Sequence, residues 1–135
     1  MVCTLCQSKT QVINSRHQKR SNQVWRRRRC PNGHVFTTQE ATEISAVWMV
    51  SDHAGHLEPF ERDRLFMSLH YSLQHRQAAV QDAGALTATI MQQVVPVVIS
   101  GVISTDSVRL AAQTVLDRFD SAASTHYRAF HPVSP

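Results

Sequence analysis

The sequence predicts an α+β protein in two modules: three short antiparallel strands stapled by cysteines, then a small helical bundle under a β-hairpin lid. Three observations predict this. All three cysteines, Cys3, Cys6 and Cys30, lie within the first thirty residues. Charge divides sharply: residues 1–40 hold eight basic residues against one acid, a net +7, whereas the remaining 95 hold six arginines, no lysine and nine acids, a net −3. Apolar spacing also changes, from strand-like before residue 60 to helical after it. The chain therefore divides into 1–42 and 43–135, and a charge asymmetry of this size implies two halves with different jobs.

At 135 residues and 42% hydrophobic content, the chain can bury a core in part of its length. The most apolar run, Val94 to Ile103, is too short to span a bilayer and contains Pro96. The start, Met-Val-Cys, has no signal-peptide pattern, so a cytoplasmic, membrane-free protein is expected. An odd cysteine count disfavours a secreted disulfide framework. No glycine-rich phosphate loop and no nucleophile–base pairing appears, so an enzyme is not expected. The basic front half is suited to a polyanion; the acidic rear half is not.

Cys3-Thr4-Leu5-Cys6 is a CxxC knuckle that presents two thiolates to one ion, and a second pair must close the tetrahedron. Cys30 supplies one ligand. Position 33 is glycine, so the candidate fourth ligand is His34, aimed back by the Pro31-Asn32-Gly33 turn; His17 is the alternative. Three thiolates, one imidazole and Zn2+ would carry one net negative charge, against which the preceding arginines are electrostatically at ease. Three free thiols would leave so polar a segment without a staple. A redox pair lacks the βαβ surroundings such motifs require.

Between the knuckles, Gln11 to Ser15, Val24 to Arg29 and Val35 to Thr38 read as strands, with a polar loop from Arg16 to Asn22. Three such strands around four ligands make a zinc ribbon. Side chains alternate along a strand, so Arg26 and Arg28 face one way, and Arg27 and Arg29 the other with Trp25. Arginine binds phosphate in bidentate fashion and reads guanine edges, so four in a row within a +7 module point to nucleic acid.

In the second module, Ile44 to Ser51 reads as a strand, Asp52 to Gly55 as a turn, and His56 to Phe60 as a return strand ended by Pro59. Helices follow. Leu65, Phe66, Leu69 and Leu73 form one face over Glu61 to Arg76. Leu86, Ile90, Met91, Val94 and Val95 form another over Asp82 to Val95. A third helix is capped by Ser104 or Thr105, with Val108, Ala112, Val115, Leu116 and Phe119 inward. A last short helix runs through Ala123, Tyr127 and Phe130.

The two modules together resemble the NrdR family, bacterial repressors of ribonucleotide reductase genes. The matching pieces in the front module are Cys3-x-x-Cys6 followed by Val12-Ile13-Asn14-Ser15-Arg16, the arginines leading into Cys30-Pro31, and Phe36-Thr37-Thr38-Gln39-Glu40. In the rear module, Gly55-His56-Leu57-Glu58-Pro59-Phe60-Glu61-Arg62-Asp63-Arg64-Leu65 is similar to the opening of an ATP-cone. Leu116-Asp117-x-x-Asp120 with Ala123 and Tyr127 is similar to the family's last helices. The resemblance implies double-stranded operator DNA as partner and ATP or dATP, with Mg2+, as effector. Repression would track the deoxynucleotide pool through a change of homo-oligomer. Carried over residue by residue, it implies DNA contacts by Arg16, Arg26, Arg27, Arg28 and Arg29, and zinc on Cys3, Cys6, Cys30 and His34. Nucleotide contacts would come from Val50, His53, Glu58, Phe60, Arg62 and Arg64.

The chain departs from the family in three places. The second knuckle is Cys30-x-x-x-His34 rather than CxxC. Asp52 and His53 stand where the family commonly carries lysines, and a carboxylate facing a triphosphate is repulsive unless magnesium intervenes. Ser124 and His131 stand where tyrosines are usual. Two alternatives follow: a DNA binder whose cone has lost its nucleotide and only oligomerises, or an RNA binder in which Trp25 stacks on single-stranded bases.

Overall fold

The computed structural model describes residues 1–135, which form two compact units, Met1–Thr42 and Glu43–Pro135.

The first unit is a three-stranded antiparallel sheet in the order β1-β2-β3, with β1 at Gln11–Gln18, β2 at Gln23–Arg29 and β3 at Val35–Ala41. The strands run longer than their apolar content suggests. β1 continues through Gln18 into what reads as a polar loop, because Arg16, His17 and Gln18 pair with Trp25, Val24 and Gln23. Cross-strand hydrogen bonding, not burial, extends it: every residue of β1 is exposed. The register slips between Val12 and Asn14, leaving Ile13 as a one-residue bulge that sharpens the local twist. Cys3 and Cys30 are the only buried hydrophobic residues of this unit.

The second unit pairs a small sheet with four helices. β4 (Met49–Ser51) lies between β5 (Leu57–Pro59), antiparallel to it, and β6 (Val102–Ser104), parallel to it. The expected hairpin is thus present with a third strand added. Ile44–Ala46 forms a single 3-10 turn rather than the start of a strand. β6 follows a two-residue turn in which Ser100 and Gly101 both have positive φ, 51° and 75°, the combination a tight hairpin turn demands. Gly101 is required there for a second reason: a Cβ would stand 2.9 Å from the carbonyl oxygen of Val47, and its own carbonyl accepts from the Met49 amide at 2.8 Å.

The helices α1 (Arg62–Ser72), α2 (Ala79–Val94), α3 (Thr105–Phe119) and α4 (Ser121–Phe130) close into a bundle in which α1 and α3 each touch α2 and α4. Ser104 caps α3, its hydroxyl accepting from the Ser107 amide. The core is the expected one at Leu65, Leu69, Leu73, Leu86, Ile90, Val94, Ala112, Leu116, Ala123 and Tyr127. Three residues expected inward are exposed instead. Val95 lies beyond the end of α2, Phe130 occupies the last turn of α4, and Phe119 lies under the Arg76 guanidinium at 4.6 Å. That cation–π contact gives Phe119 a partner outside the core.

Asp120 ties the bundle together. Its carboxylate caps α4 through the Ala123 amide at 2.9 Å and accepts from His75 at 3.0 Å and Arg76 at 2.9 Å. Arg76 in turn donates to Asp82 at 2.8 Å. The Ala123 amide, then His75 and Arg76, hold the Asp120 carboxyl well below the usual carboxylate range. The unfolded chain therefore takes up this proton more readily. The stabilisation is present near neutrality and is lost as pH falls below the ordinary carboxylate value of about 3.9. Asp120→Ala should lower the stability of the second unit by about 1–2 kcal/mol at neutral pH. In thermal unfolding across pH, the variant and the parent should converge in acid.

Candidate metal centre and nucleic-acid interface

Two tight turns bring four donor atoms together at one end of the first unit. At the front knuckle, the Cys3 amide donates to Ser8 O at 2.8 Å and the Gln7 amide to Cys3 O at 2.9 Å, with Gln7 at φ 58°. At the second, the Gly33 amide donates to Cys30 O at 3.0 Å and the Cys30 amide to His34 O at 3.1 Å. The extra residue between Cys30 and His34 is absorbed by Gly33 at φ 82°.

The result is a cluster in which Cys3, Cys6, Cys30 and His34 place one donor atom each within 4.8 Å of one another. Cys6 Sγ and Cys30 Sγ are 3.7 Å apart; His34 Nδ1 lies 3.7 Å from Cys3 Sγ and 3.5 Å from Cys30 Sγ. These three separations match edges of a zinc tetrahedron. Zn–S bonds of about 2.3 Å and a Zn–N bond of about 2.0–2.1 Å require S–S edges of about 3.8 Å and S–N edges of about 3.6 Å. The donor set fits zinc on type and on spacing. His17, the alternative fourth donor, sits exposed on β1 opposite Val24, outside this cluster.

The thiols are unequal. Hydrogen bonds from Ser8, first its side chain and then its backbone, draw Cys6 down to about 5, whereas burial pushes Cys30 up. The Leu5 amide points at Cys3 Sγ, 3.4 Å away, the kind of contact that supports a metal-bound sulfur.

Beyond the cluster, the sheet separates the four arginines. On one face, Arg26 forms an ion pair with Glu40, and Arg28 Nε donates to Thr38 at 3.1 Å. Both are half-buried. On the other face, Arg27 and Arg29 are exposed and make no ion pair. Arg16 joins them, since it lies directly opposite Trp25. One face is thus an exposed cationic surface of Arg16, Arg27 and Arg29 around Trp25, and the other has its guanidinium groups engaged within the sheet.

In the second unit, a cavity of about 220 Å³ opens between the small sheet and the bundle. Val50, Glu58, Phe60 and Arg64 line it; His53 and Arg62 do not. His53 is turned to the Asp106 carboxylate at 3.4 Å and the Ser134 hydroxyl at 2.6 Å. Asp52 is folded into its own turn, accepting from the Ala54 and His56 amides at 2.9 Å and meeting the His56 ring at 2.9 Å. Arg109, Tyr127 and His131 also line the cavity. They come from α3, α4 and the segment after it, and nothing local in the sequence marks them as lining residues. Arg64 donates to Glu58 at 2.8 Å and Arg109 to the Pro132 carbonyl at 2.9 Å.

A small antiparallel sheet closed at one end by a Cys3His cluster, followed by a helical unit with its own cavity, defines a zinc-ribbon protein of two units. Residues 1–40 match the family described as transcriptional repressor NrdR-like, N-terminal domain. A transcriptional repressor NrdR from Chelativorans sp. (strain BNC1) is 31% identical over 133 residues, covering 97% of this chain and 85% of that protein. One from Thermus thermophilus is 31% identical over 140 aligned residues, covering 98% and 88%. One from Halorhodospira halophila is 34% identical over 96 residues, covering 70% of this chain but 61% of that protein. The chain belongs to the NrdR family of transcriptional repressors. No helix is long and apolar enough to cross a membrane.

Metal analysis of the full chain should find one zinc per molecule. Removing it with a chelator, or by Cys30→Ser, should collapse the backbone NMR dispersion of residues 1–42 and leave that of the second unit in place. His34→Ala should weaken retention at least tenfold; His17→Ala should not change it.

Proposed function

We propose that this chain is a DNA-binding transcriptional repressor, with zinc on Cys3, Cys6, Cys30 and His34 holding the first unit in shape. Arg16, Arg27 and Arg29 grip the phosphates of an operator duplex. Arg26 and Arg28, tied to Glu40 and Thr38, stiffen the sheet and add to its field. The observation that carries this reading is the surplus of exposed guanidinium groups on one face of a metal-pinned sheet. Such a surface binds by releasing counterions from DNA. The family resemblance extends the reading to ribonucleotide reductase genes and to control by ATP or dATP, bound in the cavity of the second unit and changing the homo-oligomer. Val50, Glu58, Phe60 and Arg64 would contact that nucleotide.

A second reading is favoured by the cavity's charge. Two carboxylates, Glu58 and Glu61, stand against two arginines, both already engaged. The unit has no lysine. A triphosphate entering there must displace Arg64 from Glu58 and Arg109 from Pro132, or bring magnesium. In this reading the second unit only assembles the protein and senses no nucleotide.

Two measurements test these readings. Arg27→Ala with Arg29→Ala should weaken binding to operator duplex and reduce the slope of log K against log salt by about two; Arg26→Ala should have the smaller effect. An unchanged slope would remove the assigned face. Calorimetric titration with ATP and dATP in magnesium should give saturable heat at micromolar concentration if the cavity senses nucleotide. Absence of heat selects the second reading.

A further inference from the structure

The segment after α4, His131-Pro132-Val133-Ser134-Pro135, belongs to no helix or strand, yet it is tied down along its length. Proline disfavours helix in the residue before it, so Pro132 turns the chain out of α4 at His131. The segment's carbonyls then take side-chain donors from α3. Gln113 Nε2 donates to His131 O at 3.2 Å, and Arg109 Nη1 donates to Pro132 O at 2.9 Å. Gln113 is nearly buried, so this carbonyl meets a need for a partner. The His131 ring stacks on Tyr127, with centroids 4.4 Å apart and planes 19° from parallel. Val133 is half-buried, and the Ser134 hydroxyl meets His53 Nε2 at 2.6 Å. His53 stands in the turn between β4 and β5. The segment therefore links the end of α4, the side of α3 and the tip of the hairpin, three elements that border the cavity.

We propose that His131–Ser134 is a strap that competes with a phosphate-bearing ligand for the cavity. Docked, it holds the Arg109 guanidinium on a backbone carbonyl and fixes the hairpin tip through His53. A ligand that takes Arg109 releases the strap, and with it the hairpin tip. The inference rests on the nucleotide reading of the cavity and adds to it a device within the chain that sets the affinity. A phosphate is the better acceptor for Arg109, because it is ionic and accepts two parallel bonds where the carbonyl accepts one. The strap's advantage is that it is always at hand, being part of the same chain. Its docked state also carries a penalty: Asp106, 3.4 Å from His53, keeps Oδ1 buried without a partner. The fraction of molecules with the strap undocked then scales the apparent affinity of the cavity.

The test compares the zinc-loaded parent with Ser134→Ala and with a variant lacking residues 132–135. Both leave every cavity-lining side chain in place. The probes are ATP, dATP and inorganic triphosphate, each with magnesium. In calorimetric titration the deletion should bind on the order of tenfold tighter than the parent, and Ser134→Ala about threefold tighter. In the parent, saturation with a probe should bring the backbone amides of Val133 and Ser134 to the NMR mobility of a free chain end. Ser134 is exposed, so its substitution keeps the fold even if the deletion does not. Binding by the deletion where the parent is silent supports the strap in its strongest form. If both variants bind no tighter than the parent, or the strap stays ordered in the saturated parent, the competition is refuted while the nucleotide reading stands. Binding of triphosphate but of neither nucleotide keeps the strap and ends the nucleotide reading. If no protein binds any probe, both fail.

Discussion

The first unit depends on one constraint: it has no apolar core. Its only buried hydrophobic residues are Cys3 and Cys30, and every side chain of β1 is exposed. Some forty residues with so little apolar burial cannot offset the loss of chain entropy, which is why small domains recruit disulfides or metals. Here a four-donor cluster with tetrahedral edges takes the place of a core. Metal binding and folding of this unit are consequently one equilibrium.

The arginine run is a consequence of that arrangement. A sheet held by a hydrophobic layer must give one face to its core. A sheet held from one end does not, so both faces of β2 can carry guanidinium groups. The repulsion among them is relieved differently on each side. On one face Glu40 and Thr38 absorb Arg26 and Arg28; on the other, Asn14, Thr37 and Gln39 are uncharged neighbours that leave Arg16, Arg27 and Arg29 directed outward. The cluster's own negative charge at the base of the strands opposes further repulsion.

What the sequence makes legible follows from how local the determining physics is. Knuckle spacing, strand alternation and the 3.6-residue apolar stripes are local, and the cluster, the two arginine faces and most of the helical core are readable from them. Partnerships across the chain are not. β6 is three residues long and pairs in parallel with a strand some fifty residues earlier, which leaves no periodic trace. Phe119 and Phe130 have the right spacing for a core, yet they lie exposed, Phe119 covered by Arg76 and Phe130 at the end of its helix. His53 looks like a phosphate contact by position, but Asp106 and Ser134 draw it away from the cavity. Arg109 and His131 line that cavity only because α3 and the segment after α4 converge there.

The division of charge also limits how control of DNA binding could work. The second unit carries six arginines against nine acids and no lysine, so it has no cationic surplus with which to add phosphate contacts. On the proposed reading, its influence on DNA affinity would come through the number and spacing of ribbons that one assembly presents. Two linked ribbons raise effective concentration on adjacent sites without a new contact, and lose that gain when the geometry forbids simultaneous engagement. A ligand in the cavity would act by favouring one assembly over another, and by linkage DNA would alter the ligand's affinity by the same factor. On the nucleotide reading, a triphosphate must either displace Arg64 from Glu58 and Arg109 from Pro132 or enter with magnesium, so its affinity would depend on how each assembly holds those contacts. An effector with equal affinity for both would shift nothing, however tightly it bound.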